Sequence, residues 1–147
     1  MKILGIEHIG VAVKNISDNA PFWNHILGLN KTGSETVKDQ GVKTDIFNTG
    51  KGKIELLEAL DDTSPIAKYL DRRGPGIHHV CLQVEDITTA IKELKDNNIQ
   101  TIGDHYTTGS EGYKIIFIHP KTTGGVLVEL AEKPEINHEK EWLFGRG

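Results

Sequence analysis

The chain has 147 residues, and its 17 basic and 21 acidic side chains give a formal net charge of −4. This length accommodates one domain with a hydrophobic core, and the interspersed charges form no basic surface of the kind that nucleic acid or a membrane would require. The lone Cys81 excludes a disulfide framework, and an N-terminus without a long apolar segment predicts a soluble, cytoplasmic protein.

The first half of the chain predicts a strand, a helix and then further strands. Residues 6–13 alternate in polarity as a strand does, and Asn15 to Asp18 offer capping side chains for a helix that has Pro21 in its first turn. Two or three strands are predicted between residues 33 and 60, where a glycine-rich turn separates the last two.

The second half predicts the same order of elements. A linker over residues 61–75 contains a short helix that opens at Ser64-Pro65, and the next strand begins at Ile77. The apolar spacing of residues 87–94 predicts an amphipathic helix. Three strands are predicted to follow it, at residues 99–102, 113–118 and 125–131.

A histidine and a glutamate occur twice in similar surroundings. His8 and Glu55 are 47 residues apart, and His79 and Glu129 are 50 residues apart. Near-equal intervals of this length indicate a duplicated supersecondary unit, in which each copy buries its apolar face against the other.

Strand alternation places these four residues on the less apolar faces of their strands, so that they can share one cavity. The same alternation selects His79 over His78, which we expect to point toward the helix layer. Cys81 shares the face of His79, and packing explains its small side chain without a catalytic role.

Two imidazoles and two carboxylates form a mixed nitrogen and oxygen donor set. Such a set suits one divalent ion, Co, Zn, Ni, Mn or a similar metal, better than it suits calcium, and it leaves coordination positions for water or substrate. Any one of the four residues alone would be explained as a hydrogen-bonded strand residue. Four at matched positions favour a metal site, because carboxylates inside apolar strands are costly without a cation.

The pattern of His8, Glu55, His79 and Glu129 resembles the vicinal oxygen chelate superfamily, which is the glyoxalase and bleomycin-resistance group. The resemblance implies an α+β fold in which two paired βαβββ modules form a cupped mixed sheet around a divalent metal. It covers nearly residues 5–132.

The boundaries of the modules follow from this resemblance. Module 1 takes about residues 5–60, the linker residues 61–75 and module 2 about residues 76–132, all within a single glyoxalase-like domain over residues 1–133. Residues 134–147 form a polar tail, whose Trp142, Leu143 and Phe144 either fray or dock on a neighbouring surface.

Within the superfamily the chain is most similar to the methylmalonyl-CoA epimerases. The shared segments are His8 to Val13, Glu55 to Glu58, Ser64 to Lys68, Gly76 to His79, and His119 to Lys121 with Gly124 to Leu130. The resemblance assigns the metal to His8, His79 and Glu129, with Glu55 where some members carry glutamine.

The resemblance to these epimerases implies epimerisation of an acyl-CoA thioester, methylmalonyl-CoA, through a metal-stabilised enolate. Glu129 would be one catalytic base as well as a ligand, and a homodimer is expected. The chain departs from some epimerases at Thr44, which stands where they have a second catalytic glutamate and cannot serve as a carboxylate base.

Three other functions stay open on the sequence. A lactoylglutathione lyase of the glyoxalase I type would use the same metal set for proton transfer next to a carbonyl. A metal-free small-molecule-binding module would not need the four-residue set. An extradiol dioxygenase would need iron and use only three of these ligands.

Overall fold

The computed structural model describes residues 1–135, so the Trp142, Leu143 and Phe144 of the predicted tail lie outside the described residues. Within this range the chain forms eight strands and three α-helices. The strands are β1 (Ile3–Ala12), β2 (Asn30–Val37), β3 (Val42–Asn48), β4 (Lys53–Ala59), β5 (Gly76–Val84), β6 (Thr101–Thr108), β7 (Lys114–Ile118) and β8 (Val128–Glu132). The helices are α1 (Ile16–Pro21), α2 (Pro65–Arg73) and α3 (Ile87–Asp96). None of the helices in residues 1–135 has the length and apolar character needed to span a membrane.

All eight strands lie in one mixed sheet, in the order β2-β3-β4-β1-β5-β8-β7-β6. The order is symmetric about its centre, where β1 and β5 pair antiparallel. Each of these two strands pairs parallel on its other side, β1 with β4 and β5 with β8. The predicted α+β fold with two βαβββ modules in a cupped mixed sheet is therefore confirmed.

Helix α1 follows β1, but it begins earlier than predicted. The Asn15 side chain accepts a hydrogen bond from the Asp18 backbone N–H, so the helix starts at Ile16. Pro21 therefore lies at the end of α1, and its expected place in the first turn was wrong. Because proline has no N–H to donate, the regular α-helical pattern stops there, and the backbone continues as a π-helical turn over Phe22–Ile26.

The convex face of the sheet carries the helices of both modules. Helix α1 packs through Ile16 against Phe47 and Leu56 in module 1. Helix α3 packs Ile87, Ala90, Ile91 and Leu94 against β7 and β8 in module 2. Equivalent carboxylates cap the two helices: Glu58 accepts from the Ile16 N–H, and Glu132 accepts from the Ile87 N–H. The duplication therefore extends from the site residues to the helix caps.

Helix α2 breaks this symmetry because it lies on the concave side. Ser64 caps it by accepting a hydrogen bond from the Ile66 N–H, and Pro65 occupies its first turn. Ile66 is buried against Ala12, Val42 and Leu57. The segment between the modules thus forms one wall of the cup.

Candidate metal centre

The four central strands carry one candidate residue each, and all four side chains are buried. They are Glu55 in β4, His8 in β1, His79 in β5 and Glu129 in β8. Gly10 stands between two of them, because its neighbours in the sheet are Glu55 on one side and His79 on the other. The sheet order alone therefore brings the four residues to the middle of the cup.

Three of the four residues direct one atom each to a common point. His8 Nε2 lies 2.9 Å from His79 Nε2, and Glu129 Oε1 lies 3.1 and 3.2 Å from these two nitrogens. Donor atoms about 2.0–2.2 Å from a shared ion lie about 3 Å apart when they subtend a right angle at it. The triangle formed by His8, His79 and Glu129 has the dimensions of one face of a metal coordination shell.

Two buried oxygens provide the test of whether the residues fit a cation. Glu55 Oε2 and Glu129 Oε1 are shielded from solvent and have no hydrogen-bond partner among the described residues. A buried carboxylate oxygen without a partner costs several kcal/mol of desolvation, of which a cation would return most. The unpaired oxygens and the mixed donor set fit a divalent transition metal.

Glu55 approaches His8 from the other side. Its Oε2 lies 3.0 Å from His8 Nδ1, and its Oε1 accepts a long, 3.4 Å hydrogen bond from Ser110 Oγ. The structure thus groups all four predicted residues around the His8 ring, with Glu129 beside Nε2 and Glu55 beside Nδ1.

Two β-bulges alter the predicted alternation beside the histidines. The pairing of β1 with β5 skips Glu7, so that Ile6 faces Leu82 and His8 faces Cys81. It also skips His78, so that His79 faces Gly10 and Ile77 faces Val11. Bulges re-aim side chains next to functional sites, and here each lies immediately before a candidate ligand.

The bulge in β5 corrects the expectation for His78, which was predicted to point toward the helix layer. Its ring does contact Tyr69 of α2, but its Nδ1 lies 2.9 Å from His79 Nδ1 and it lines the same cavity as His79. Burial, with the charge of His79, lowers the pKa of His78 to about 4.

The bulge in β1 buries Glu7 beside His8, where Glu7 Oε1 lies 3.0 Å from His8 Nδ1 in hydrogen-bonding geometry. The other oxygen of Glu7 pairs with Lys53 Nζ at 3.2 Å, and Lys53 Nζ also lies 2.9 Å from Glu111. These contacts outweigh burial and lower the pKa of Glu7, so the carboxylate is ionised.

The candidate centre is acidic. The carboxylates of Glu7, Glu55 and Glu129 surround two imidazoles that must be neutral to bind a metal, and Lys53, which Glu7 shares with Glu111, offsets only part of this negative charge. When no ion is bound, a proton on the His8 ring offsets part of the negative charge of the carboxylates. Burial lowers the pKa of His8, but its close contacts with Cys81 and with the carboxylates of Glu129, Glu55 and Glu7 outweigh burial and raise the pKa.

The pKa of Glu129 reflects the same competition between burial and neighbouring groups. Burial alone would raise its pKa, but the adjacent imidazoles of His79 and His8 outweigh burial and lower the pKa to about 2. The Glu129 carboxylate is therefore held in the charged form that a metal ligand needs.

The glycine at position 10 makes room for one of the candidate ligands. A Cβ atom placed on Gly10 would lie 2.6 Å from His79 Nδ1 and 2.8 Å from His79 Nε2, closer than any real Cβ contact. No other residue type leaves the imidazole of His79 in its present position.

A cavity of about 350 Å³ opens over the candidate ligands and includes Glu55, Glu129, His8 and His79 among its lining residues. Thr44 lines it and is buried. Asp45 faces the other way, where it accepts a hydrogen bond from Ser34 Oγ at 2.7 Å.

Cys81 serves packing, as predicted. It is fully buried against Tyr113, Ile115 and Ala131. Burial raises the pKa of its thiol to about 12, so the thiolate that nucleophilic or metal chemistry requires is disfavoured.

Two functional candidates, Glu7 and Gly10, were missed by the sequence reasoning. Strict alternation excludes Glu7 from the face of His8, because only the bulge brings consecutive side chains to one side. The signal available was the doubled polar pair, Glu7-His8 and His78-His79, in two otherwise apolar strands.

The cupped sheet of two equivalent modules, with a cluster of buried histidine and glutamate side chains at its centre, defines a protein of the paired-module class. The chain belongs to the Glyoxalase/Bleomycin resistance protein/Dioxygenase superfamily, which it matches over residues 7–117.

Several proteins of similar sequence or structure are methylmalonyl-CoA epimerases. The chain is 36% identical over 128 residues to the mitochondrial methylmalonyl-CoA epimerase of Homo sapiens, covering 86% of this chain and 73% of that protein. It is 37% identical over 135 residues to an uncharacterised protein of Bacillus subtilis (strain 168), covering 92% and 96%. Among solved structures, a methylmalonyl-CoA epimerase in complex with methylmalonyl-CoA and NH4+ superposes with a TM-score of 0.87 at 27% identity, covering 92% of this chain and 98% of that one.

Proposed function

We propose that this protein is a metal-dependent methylmalonyl-CoA epimerase. The observation that carries the proposal is the triangle of donor atoms from His8, His79 and Glu129 at the base of a cavity. Its similarity to epimerases over most of their length supports the choice of reaction.

The residues that would hold the ion are His8, His79 and Glu129, with Glu55 as a further oxygen donor. When bound, a divalent ion acts as a Lewis acid on the substrate's carbonyl oxygen and makes the neighbouring α-proton more acidic. Two buried carboxylates would repel the carboxylate of a methylmalonyl group, so the donor set and the substrate both require positive charge at this point.

Glu129 removes the α-proton from one face of the substrate to give an enolate. A carboxylate that also binds the ion would be a weak base, so transfer requires a strongly acidified α-proton. Return of a proton to the opposite face gives the other epimer.

The hydroxyl of Thr44 cannot be the group that returns the proton on the opposite face, because a threonine hydroxyl does not act as an ordinary acid or base. The described lining residues other than Glu129 that carry a carboxylate are Glu55 and Asp39. We assign the second transfer to Glu55, because it is buried and lies beside the opposite nitrogen of His8 from Glu129.

The coenzyme end of the substrate fits a second cavity, of about 520 Å³, that adjoins the first. The two share Pro65, His78, His79 and Leu127. Three basic residues line the second cavity, Lys68, Arg72 and Arg73, and no carboxylate does among the described residues. They form no ion pair within residues 1–135, so they are available to the phosphates of an acyl-CoA.

The test is incubation of the metal-loaded enzyme with one methylmalonyl-CoA epimer in deuterated water. The expected result, monitored by NMR, is deuterium at the α-carbon together with formation of both epimers. No exchange, combined with turnover of a thiol–methylglyoxal adduct, would favour the glyoxalase I type lyase, which gains no support from the relatives compared.

A homodimer in the cytoplasm completes the proposal. Phe22, Ile26 and Leu27 form an exposed apolar segment, half or more of each side chain being accessible to solvent. Contiguous exposed apolar surface is typical of protein–protein contacts. Light scattering on the purified protein would test the dimer, and a single-chain mass would refute it.

A further inference from the structure

Glu7 lies outside the proposed ligand set, yet its carboxylate contacts one of the ligands. We propose that Glu7 is a positioning residue: it accepts the Nδ1 proton of His8, which turns Nε2 to the metal and leaves Glu55 free as a donor. The inference rests on the proposed metal centre and is independent of the proposed substrate.

The His8 ring has one proton to donate when it is neutral, and two carboxylates compete for it. A neutral imidazole carries one N–H, and two carboxylate oxygens, Glu7 Oε1 and Glu55 Oε2, each lie 3.0 Å from Nδ1. Only Glu7 meets it in hydrogen-bonding geometry, whereas Glu55 Oε2 has no hydrogen-bond partner in residues 1–135. Glu7 therefore takes the proton, and Nε2 keeps its lone pair on the side of His79 and Glu129.

The Glu7 carboxylate is itself held in place by contacts with other side chains. Its other oxygen pairs with Lys53 Nζ, which also binds Glu111. The backbone N–H of Glu111 is in turn held by the carboxylate of Glu35, at 2.9 Å. The chain of contacts therefore joins the loop before β7 in module 2 to a ligand of module 1.

The two modules orient their histidines in the same way. The residue before each histidine is placed by a bulge against Nδ1 of that histidine, Glu7 against His8 and His78 against His79. Both histidines therefore offer Nε2 to the centre. Partners of this kind orient metal-ligating histidines, and their loss commonly weakens metal binding about 10–100-fold.

The experiment measures metal affinity and ring tautomer in full-length variants. Glu7→Leu removes the acceptor at similar volume, and Glu7→Gln keeps an acceptor oxygen but removes the charge. Glu58→Gln is the matched control, because the Glu58 carboxylate also accepts one hydrogen bond, from the backbone N–H of Ile16, but it lies at the α1 cap. Affinity for Co²⁺ is measured by competition with a chromophoric chelator, and the His8 tautomer by ¹⁵N NMR of the Zn²⁺-loaded protein.

We expect Glu7→Leu to bind Co²⁺ about 10–100-fold more weakly, Glu7→Gln to fall between it and the wild type, and Glu58→Gln to match the wild type. In the wild type the His8 proton should be on Nδ1. Equal affinity in Glu7→Leu and wild type, or a His8 proton on Nε2, would overturn the inference. A wild type that binds no divalent ion would overturn this inference together with the proposed metal centre, whereas metal binding without epimerase activity would overturn only the proposed reaction.

Discussion

Replacing Gly10 with alanine tests the metal centre through a single added methyl group. The Cβ would clash with His79 Cε1 most closely and would lie 2.6 Å from His79 Nδ1, whereas ordinary contacts begin at 3.4 Å, so the imidazole must move by about 1 Å. Metal–ligand distances tolerate deviations of only about 0.2 Å. The displaced His79 can no longer complete the donor triangle.

We expect Gly10→Ala to weaken binding of Co²⁺ or Zn²⁺ by roughly 100-fold, the upper end of the loss caused by removing a supporting contact. Turnover should fall with it. The fold should persist, because Gly10 has no positive φ and alanine is compatible with a strand.

The assay is chelator competition for the metal, with thermal unfolding of the metal-free protein as the measure of the fold. Gly33→Ala is the matched control: it is also a strand glycine, and its Cβ would meet only Ile46 Cδ1 at an ordinary 3.6 Å. If Gly10→Ala bound metal as tightly as Gly33→Ala and the wild type, His79 would not be a ligand in the position described.

Further predictions address the acids and the cavities. Glu55→Gln should retain α-proton exchange from one epimer but lose conversion to the other, and equal loss of both would refute its assigned role. Lys68→Ala with Arg72→Ala should raise KM for methylmalonyl-CoA up to about tenfold, but not for its pantetheine thioester. Lys92→Ala, on α3, is the control, and equal effects on both thioesters would count against the phosphate cavity. Metal affinity should rise with pH, since the raised pKa of His8 makes a proton compete with the ion, and a flat profile would contradict this.

The repeat made most of the fold predictable from the sequence. Matched intervals between His8 and Glu55 and between His79 and Glu129 indicated two copies of one unit, and the sheet is symmetric about the pairing of β1 with β5. Two helix starts were also predicted, since Asn15 and Ser64 each accept a backbone hydrogen bond there. Local chemistry of this kind acts over three or four residues, so the sequence carries it directly.

The details that sequence reasoning could not reach depend on contacts between strands. Alternation has a period of two, and one extra residue reverses the face of the side chains beside it. The bulges at Glu7 and His78 are properties of how β1 pairs with β5. The role of Gly10 likewise depends on His79, which is distant in the chain but adjacent in the sheet.

The two modules are alike in fold but unequal at the bulge, and this inequality matches the proposed substrate. Before His8 the bulge places an ionised carboxylate, Glu7, whereas before His79 it places His78, whose low pKa keeps it neutral. The neutral side opens into the cavity lined by Lys68 and Arg72. The proposed substrate is anionic at both ends, with phosphates at one end and the methylmalonyl carboxylate at the other. Because the basic cavity attracts the phosphates and the proposed ion would attract the methylmalonyl carboxylate, the proposed substrate has one favourable orientation, with its α-carbon over the donor triangle.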